Sequence, residues 1–526
     1  MNTLMISIGK SKNSCTSERV RYSFLGSFIF SMAANAFAYF NFYPQHDSLN
    51  HAMYFAGSWE VQLGRFLLPF YGKLRGTITM PWLIGMLSIL FIAGSTYVVS
   101  DLLNMDTPIL IILTGGILAA NLCVTELCAV FMFVTDAYML SMFLGCLGVW
   151  IIVRWQSWGG VFLSAVLFFL SFGLYQSSAS VVLVLFALLL IQECAFGRRI
   201  FLYAWRKWLR YALSLVLGVF FYVIGYKAAL YLWDTTPAES SNSLSSLAEL
   251  GIWELLQNLK NGYKQFLGFF FCDEAGIGTA TQLCNILLVC LALFFLVKLF
   301  LQKKIRVING LVAIGCIVLL PVMMLLMSIF MSKEAISFRT AYALFLLYPI
   351  MLSVIFHGVG DVRSTSLSSK HKRVQVVRFA SLVAVCIVLF QNIRYSNGAY
   401  TVEKILYDRT TSVMTRILED IEEEDGYVPG ETEVVVIGGI YDGNSTITEL
   451  TSQYSALGGF KKTSISYART FNSMAKLLGS KLNIAEDSVI AEYKQMDEVS
   501  EMPAYPSNGY CQMIDERLVV KLSGNK

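Results

Sequence analysis

Long apolar runs recur along the first three quarters of the chain and are separated by short polar segments. Many of them approach the roughly 20 residues that an α-helix needs to cross the hydrocarbon core of a bilayer. The pattern predicts an all-α polytopic membrane protein with about eleven transmembrane helices, at residues 22–42, 80–100, 108–127, 133–153, 158–175, 177–194, 211–232, 282–301, 306–331, 340–358 and 376–393.

The residues that follow, 394–526, have a different pattern. Tyr407–Glu424 has the spacing of an amphipathic helix with an acidic end, and Glu433–Gly438 has the character of a buried strand. Ser488–Tyr493 and Arg517–Leu522 fit either strands or short helices. We therefore predict a small C-terminal α/β domain at residues 394–526, after a cytoplasmic N-terminus at residues 1–21 and a transmembrane domain at residues 22–393.

The composition agrees with this interpretation. Hydrophobic residues make up 56% of the chain and charged residues only 14%, whereas a soluble globular protein carries about 25% charged residues. The chain therefore cannot cover an aqueous surface of its own size. This excludes a soluble enzyme, a disordered chain and a nucleic-acid-binding domain.

The distribution of basic residues predicts the orientation in the membrane. If the N-terminus is cytoplasmic, nineteen Lys and Arg residues fall in cytoplasmic segments and seven in external segments before residue 394. Because cytoplasmic loops carry an excess of Lys and Arg, this orientation is the favoured one. An odd number of spans then places residues 394–526 outside the cell.

Ionisable residues gather in the segments that this topology places outside. The segment 43–79, called here the 43–79 loop, holds His46, Asp47, His51, Glu60 and Arg65. Glu126 and Asp136 bracket the turn between the third and fourth spans, and Arg339 precedes the tenth. Ionisable groups close to a membrane are costly unless they face water or a partner. The sequence therefore predicts polar chemistry at the outer membrane surface, although each residue alone is also consistent with a solvated loop.

Asp47 follows the first span directly, behind Pro44. It is either a functional carboxylate or the N-cap of a helix that begins near Leu49, and the two interpretations are compatible. His51 lies one helical turn later, so the pair could bind a divalent metal ion, although two ligands do not complete a coordination shell.

The 43–79 loop also carries apolar residues at helical spacing. They predict either a helix at the lipid headgroups, with Trp59, Phe66 and Phe70 in the membrane and Arg65, Lys73 and Arg75 on lipid phosphates, or a hairpin packed against other loops. Arg65 and Arg339 are candidate ligands for a substrate phosphate, since a planar guanidinium suits that group. Either could instead be an interfacial side chain.

Several short motifs occur in a fixed order on the predicted outer side: His46-Asp47-Ser48, Gly64-Arg65-Phe66, Pro81, Phe133-Val134-Thr135-Asp136-Ala137 and Tyr175-Gln176-Ser177. Over residues 20–395 the chain resembles the type II Gtr glucosyltransferases, multi-spanning enzymes of the GT-C class that modify bacterial surface polysaccharides such as O-antigen. Phe66 stands where such proteins often have Trp.

The resemblance implies an enzyme of the bacterial plasma membrane. It would move a hexose, expected to be glucose, from a polyprenyl-phosphate donor to a cell-surface polysaccharide or its lipid-linked precursor at the outer face. Membrane lipids are the other expected partner. No cofactor is firmly implied, and a divalent metal ion stays open.

The resemblance also implies roles for particular residues. Asp47 is the expected general base and Asp136 the second catalytic carboxylate. The remaining residues are expected to bind substrate: Arg65 and Arg339 at the departing phosphate, and Tyr175 and Gln176 at the sugar. Glu126 is expected to position the acceptor or to balance positive charge, and His46 is a substrate-binding residue without a more specific role.

The main alternative is a transporter or flippase of lipid-linked sugars. Transporters usually place ionisable residues or broken helices near the middle of the bilayer, and the predicted spans hold almost no charge. Another GT-C activity and a non-catalytic scaffold are further alternatives.

Overall fold

The chain folds into a bundle of apolar helices followed by a small sheet that is covered by helices. This computed structural model describes residues 2–196, 205–238, 251–273, 275–302, 307–331, 338–358, 369–440, 446–458 and 465–523.

The helices of the first half carry the 43–79 loop and the segments that surround it. They are α1 (Asn2–Phe40), α2 (His46–Asn50), α3 (Ser58–Gln62), α4 (Leu68–Arg75), α5 (Pro81–Leu102), α6 (Pro108–Ala119), α7 (Leu122–Val130), α8 (Thr135–Arg154), α9 (Trp158–Leu174), α10 (Ser178–Phe196) and α11 (Trp205–Leu232).

The second half continues the bundle and adds the C-terminal domain. Its helices are α12 (Ile252–Phe271), α13 (Thr279–Gln302), α14 (Val307–Met324), α15 (Leu326–Met331), α16 (Leu347–Gly358), α17 (Ser369–Glu423), α18 (Thr446–Ser452), α19 (Ala468–Leu477), α20 (Asp487–Tyr493) and α21 (Asp497–Glu501). Short 3₁₀ turns lie at Met132–Val134, Phe338–Thr340 and Tyr342–Leu346.

Eight helical segments in the described chain are long and apolar enough to cross a membrane: Thr16–Phe40, Pro81–Leu102, Pro108–Val130, Met132–Arg154, Trp205–Leu232, Thr279–Leu301, Val307–Met324 and Val374–Glu423. Three shorter apolar helices are Trp158–Leu174, Ser178–Cys194 and Tyr342–His357. The prediction of a helical membrane protein with a small C-terminal sheet is confirmed at this level. The number of spans and their orientation stay predictions.

The third predicted span is broken, and Asn121 explains how the break is tolerated. The Asn121 Oδ1 accepts hydrogen bonds from the backbone N–H groups of Cys123 and Val124, at 3.0 and 3.1 Å. Its amide nitrogen donates to the carbonyls of Ile117 and Leu118, both at 2.9 Å. One buried side chain thus serves both helix ends, which apolar surroundings would otherwise leave unsatisfied. The break lets α7 start in a new direction.

The last predicted span is part of α17, a continuous helix of 55 residues. The predicted domain boundary at residue 394 therefore falls inside this helix, and the predicted amphipathic helix at Tyr407–Glu424 is its C-terminal part. A change in hydropathy marks where a helix leaves apolar surroundings, but it does not end the helix, because backbone hydrogen bonding continues in water.

The C-terminal sheet has the strand order β2-β1-β4-β3, with β1 (Glu433–Ile437), β2 (Asn483–Ile484), β3 (Cys511–Ile514) and β4 (Arg517–Lys521). β1 runs parallel to β2 and β4, and β3 pairs antiparallel with β4. Helices cover both faces, since Val434 packs with α17 and α19 whereas Val435 packs with α20. The predicted strands in Glu433–Gly438 and Arg517–Leu522 are present, and Ser488–Tyr493 lies in a helix.

Candidate functional site

Asp47 lies in the first turn of α2 and is partly exposed. The backbone N–H of Gln45 donates to Ser48 Oγ at 2.8 Å, and the hydroxyl of Ser48 donates back to the carbonyl of Gln45. Gln45 is therefore the N-cap residue, and the interpretation of Asp47 as the N-cap is wrong. A carboxylate in the first turn is instead stabilised by the positive end of the helix dipole.

Glu60 organises the turn before α3. Its Oε2 accepts a hydrogen bond from the backbone N–H of Gly57 at 2.7 Å, and its Oε1 accepts one from the hydroxyl of Tyr54 at 2.9 Å. The side chain is largely buried, at 8% exposure. Both oxygens therefore fix the fold of the loop.

The Gly64-Arg65 turn after α3 is held from the bundle. Gly64 has a φ of 84°, a conformation that favours glycine. The amide nitrogen of Gln176 donates to the carbonyl of Leu63 at 2.7 Å and to the hydroxyl of Tyr222 at 3.2 Å. The hydroxyl of Tyr222 donates in turn to the carbonyl of Gly64 at 3.1 Å. Gln176 thus acts on the site through Arg65, and sugar binding by Gln176 stays a prediction.

Arg65 points into an aromatic cradle. Its Nη1 donates to the hydroxyl of Tyr138 at 2.9 Å, and its Cζ lies 5.7 and 5.3 Å from the ring centroids of Tyr138 and Tyr175. The two rings are stacked at 3.7 Å. Burial acts to lower the pKa of Arg65, but the neighbouring phenols more than compensate, so its pKa lies above the ordinary value. Among the described residues, nothing accepts a hydrogen bond from its buried Nε.

Arg339 lies beside the same cradle. Its Cζ is 4.3 Å from the ring centroid of Phe131, and its carbonyl accepts a hydrogen bond from the hydroxyl of Tyr175 at 3.0 Å. Its backbone N–H contacts Glu126 Oε2 at 3.3 Å, and the Glu126 side chain is fully buried in α7. Glu126 therefore orders the segment that carries Arg339.

These contacts bring most of the predicted residues into one neighbourhood, with Tyr138 at its centre. The charges of Arg65, Arg339, Glu60 and Asp47 all act on the Tyr138 hydroxyl. The sequence did not point to Tyr138, because a tyrosine near the end of a membrane helix is common. The signal in the sequence is its position in the first turn of α8, one helical turn after Thr135.

Asp136 belongs to a separate, fully buried contact. Its Oδ1 lies 2.9 Å from Arg75 Nη1, and its Oδ2 accepts a hydrogen bond from the hydroxyl of Tyr71 at 2.8 Å. Arg75 also donates to the carbonyl of Phe133 at 2.9 Å. Because the Arg75 side chain is only 3% exposed, the prediction that it contacts lipid phosphates is wrong. The geometry favours an anchor between α4 and α8, and a catalytic role for Asp136 stays a prediction.

The outer face of the 43–79 loop is strongly apolar. Trp59 is 55% exposed and Phe70 is 62% exposed, as the membrane-surface interpretation expects. Phe66 contradicts that interpretation, because it is 4% exposed and packs against the rings of Phe169 and Tyr222. Exposed apolar side chains in one loop are typical of an interaction surface.

Of the two histidines in the 43–79 loop, the structure describes the side chain of His51 alone. The side chain of His46 lies outside the described part of the chain. The His51 ring packs at 4.4 Å from the ring of Phe133, and burial lowers the pKa of His51, against the opposing charges of Glu60 and Asp47. Within the described ranges, no three His, Cys, Asp or Glu side chains lie close enough to hold a metal ion.

Glu403 of α17 is a further candidate that the sequence did not indicate. Its side chain is 6% exposed and lines a cavity of about 20 Å³ behind Pro44 and Ser48, on the turn that carries Asp47. The sequence does not indicate it, because residue 403 falls in the predicted C-terminal domain, where a carboxylate is expected to be solvated.

A bundle of membrane helices that gathers cationic, aromatic and carboxylate groups beside the 43–79 loop defines a polytopic membrane protein with a polar site at one end of its bundle. A family model described as "Glucosyl transferase GtrII" matches residues 36–354. The match covers more than half of the chain, so the chain belongs to this glucosyltransferase family, and the suggested resemblance is confirmed. No curated protein and no solved structure is significantly similar to the chain.

Proposed function

We propose that this protein transfers a glucosyl unit from a polyprenyl-phosphate donor to a cell-surface polysaccharide or its lipid-linked precursor. The reaction takes place at the outer face of the bacterial plasma membrane. Membership of the family supports glucosyl transfer as such. The donor, the acceptor and the membrane face are our proposal.

The observation that carries the proposal is the unsatisfied hydrogen-bond donor on the Arg65 side chain. The buried Nε has no hydrogen-bond acceptor among the described residues, although an unsatisfied buried donor is costly. The Arg339 carbonyl accepts a hydrogen bond from Tyr175, and the Arg339 charge acts on both tyrosines of the cradle. Two guanidinium groups at one aromatic cradle suit a phosphate, which accepts paired N–H groups from arginine.

The apolar face of the 43–79 loop supports a lipid-linked donor. Phe55 and Leu74 are 68% and 85% exposed, and they extend the surface formed by Trp59 and Phe70. Such a surface supports a position of the cradle at the level of the lipid headgroups. The polyprenyl tail would then lie among the bundle helices while its phosphate reaches Arg65.

Asp47 is the proposed general base. Its carboxylate takes the proton of the acceptor hydroxyl while the hydroxyl oxygen bonds to C1 of the glucosyl unit. The bond between C1 and the phosphate oxygen breaks, and polyprenyl phosphate leaves with the electron pair. The sugar passes through an oxocarbenium-like transition state. Arg65 and Arg339 stabilise the negative charge that develops on the phosphate, an effect usually worth about 3 kcal/mol per donor.

The membrane orientation follows from the predicted topology, with the N-terminus in the cytoplasm and the C-terminal domain outside. A contact supports the second part: Asn50 of α2 is hydrogen-bonded to Tyr467 and Ser473 of the C-terminal domain. The 43–79 loop and that domain therefore share one side of the membrane.

The test uses membranes that contain the full chain and polyprenyl-phosphate-[¹⁴C]glucose with surface polysaccharide as the acceptor. We expect label to reach the polysaccharide, and Asp47→Asn to reduce the rate about 10²- to 10⁴-fold, as for a lost general base. Asp106→Asn is the control, because Asp106 is exposed and pairs with Arg19, away from the 43–79 loop. Full activity in Asp47→Asn refutes the base assignment, and no transfer by the wild type refutes the proposed function.

A further inference from the structure

The C-terminal domain packs directly on the helix that carries Asp47. The Asn50 amide nitrogen donates to the hydroxyl of Tyr467 at 3.2 Å, and the hydroxyl of Ser473 donates to Asn50 Oδ1 at 2.9 Å. Tyr467 precedes α19 and Ser473 lies within it. Both ends of one amide are thus bound by the domain.

An apolar contact stabilises this arrangement further. Leu49 is 2% exposed and belongs to the hydrophobic core of the C-terminal domain, together with Phe471 and Met474 of α19. Separation of the domain from α2 would expose this leucine to water, at a cost of about 1.5–3 kcal/mol for the side chain alone. The domain is therefore held in contact with α2.

The domain presents an aromatic ring and a cation beside α2, the helix that carries the candidate base. Tyr467 is 40% exposed and Arg469 is exposed. The positive charge of Arg469 acts on His51, which also feels the charges of Asp47 and Glu60. Arg469 and Asp47 therefore approach the same imidazole from two different parts of the chain.

The positions of Tyr467 and Arg469 determine which substrate they could bind. Arg65 and Arg339 lie on the bundle side, at the cradle proposed for the donor phosphate. Asn50 follows Asp47 by three residues in α2, so the two side chains share a helix face. A hydroxyl that approaches Asp47 along this helix face meets the surface of the C-terminal domain on which Tyr467 and Arg469 are exposed.

We propose that Tyr467 and Arg469 form the acceptor subsite, which binds the glycan chain that carries the reacting hydroxyl. The Tyr467 ring offers an apolar face to a pyranose, and the Arg469 guanidinium donates hydrogen bonds to sugar hydroxyl or acidic groups. This inference rests on the proposed function and adds to it a binding role for the domain that lies outside the matched residues 36–354.

The experiment separates acceptor binding from donor binding by steady-state kinetics of the full chain in membranes. Arg469→Ala should raise the KM for surface polysaccharide about tenfold, the loss expected for one charge-assisted contact. Tyr467→Ala should raise the same KM severalfold, whereas Tyr467→Phe, which keeps the ring, should stay near the wild type. The KM for the polyprenyl-phosphate donor should not change in any variant.

Lys476→Ala is the matched control, because Lys476 is an exposed cation at the far end of the same helix. It should leave both KM values unchanged. An unchanged acceptor KM in Arg469→Ala and Tyr467→Ala overturns the inference while the proposed function stands. A parallel rise in the donor KM also overturns it, since that result indicates a general disturbance of the site.

A direct binding measurement covers the case in which the wild type transfers no glucose and the proposed function fails. Surface polysaccharide purified from the host bacterium is titrated into the detergent-solubilised chain. Weaker binding to Arg469→Ala than to Lys476→Ala supports the subsite without catalysis. Equal binding, or none to the wild type, overturns it.

Discussion

The buried contact between Arg75 and Asp136 gives the sharpest prediction about stability. The two side chains are 3% and 0% exposed, and the distance between Arg75 Nη1 and Asp136 Oδ1 is 2.9 Å. The Tyr71 hydroxyl donates a hydrogen bond to the second oxygen of the Asp136 carboxylate, and Arg75 also donates one to the carbonyl of Phe133. Arg75→Met would leave Asp136 buried with neutral donors alone, the Tyr71 hydroxyl and the backbone N–H of Ala137.

Loss of one partner of a buried ion pair costs about 3–5 kcal/mol, because the remaining charge is uncompensated. We expect a loss of this size in both Arg75→Met and Asp136→Asn. The double variant removes both charges, so it should recover most of the loss and lie within about 2 kcal/mol of the wild type. A double-mutant cycle of these substitutions should therefore give a coupling energy of several kcal/mol between Arg75 and Asp136.

The assay is thermal unfolding of the detergent-solubilised chain, combined with glucosyl transfer by the same four proteins. If the losses of the two single variants add in the double variant, the two residues are not coupled and the anchor is refuted. Recovery of stability together with activity assigns Asp136 to the fold. Recovery of stability without activity would instead support the predicted catalytic role of Asp136.

Three further predictions concern the loop. Leu49→Ala should destabilise the chain by about 2–5 kcal/mol, the usual cost of such a cavity, and should speed proteolysis between the C-terminal domain and the bundle; equal proteolysis rates would contradict the shared core. Gly64→Ala should cost about 1–2 kcal/mol because its φ is 84°, and the donor KM should rise as Arg65 shifts; an unchanged donor KM would show that the turn does not position Arg65. Burial lowers the pKa of His51, so its neutral form stabilises the fold above pH 6.5 and this stability is lost as the pH falls below that value; thermal midpoints measured from pH 8 to pH 5 should fall more in the wild type than in His51→Gln, and parallel curves would contradict this.

Sequence periodicity predicted the bundle because the energetic requirement is local. A helix that crosses a membrane must satisfy its own backbone and must be apolar along its length. The break at Asn121 was not predicted, because four hydrogen bonds from one side chain leave no mark in a hydropathy profile. The continuation of α17 beyond residue 394 was missed for a related reason, since hydropathy reports the surroundings of a helix and not its end.

The site was predictable only in part, because its contacts join residues far apart in the chain. Arg65, Tyr175 and Arg339 were chosen individually, and the structure places them around one pair of stacked rings. The sequence predicts a catalytic role for Asp136 and does not reveal its ion-pair partner, because Arg75 lies 61 residues earlier. The role of the C-terminal domain depends on a still longer contact, between Asn50 and Tyr467.

Glu403 provides the last prediction. Its carboxyl group is 6% exposed, and among the described residues no hydrogen-bond donor or cation lies within its reach. A buried charge without a partner is costly, so Glu403→Gln, which keeps the shape and removes the ionisable group, should raise the thermal midpoint in detergent. Asp408→Asn is the control, because Asp408 is exposed on the same helix and pairs with Lys404. A lower thermal midpoint in Glu403→Gln would show that the carboxylate is paired. A higher midpoint together with reduced glucosyl transfer would show that the buried carboxyl group destabilises the fold but is needed for the reaction, since function commonly opposes stability at such positions.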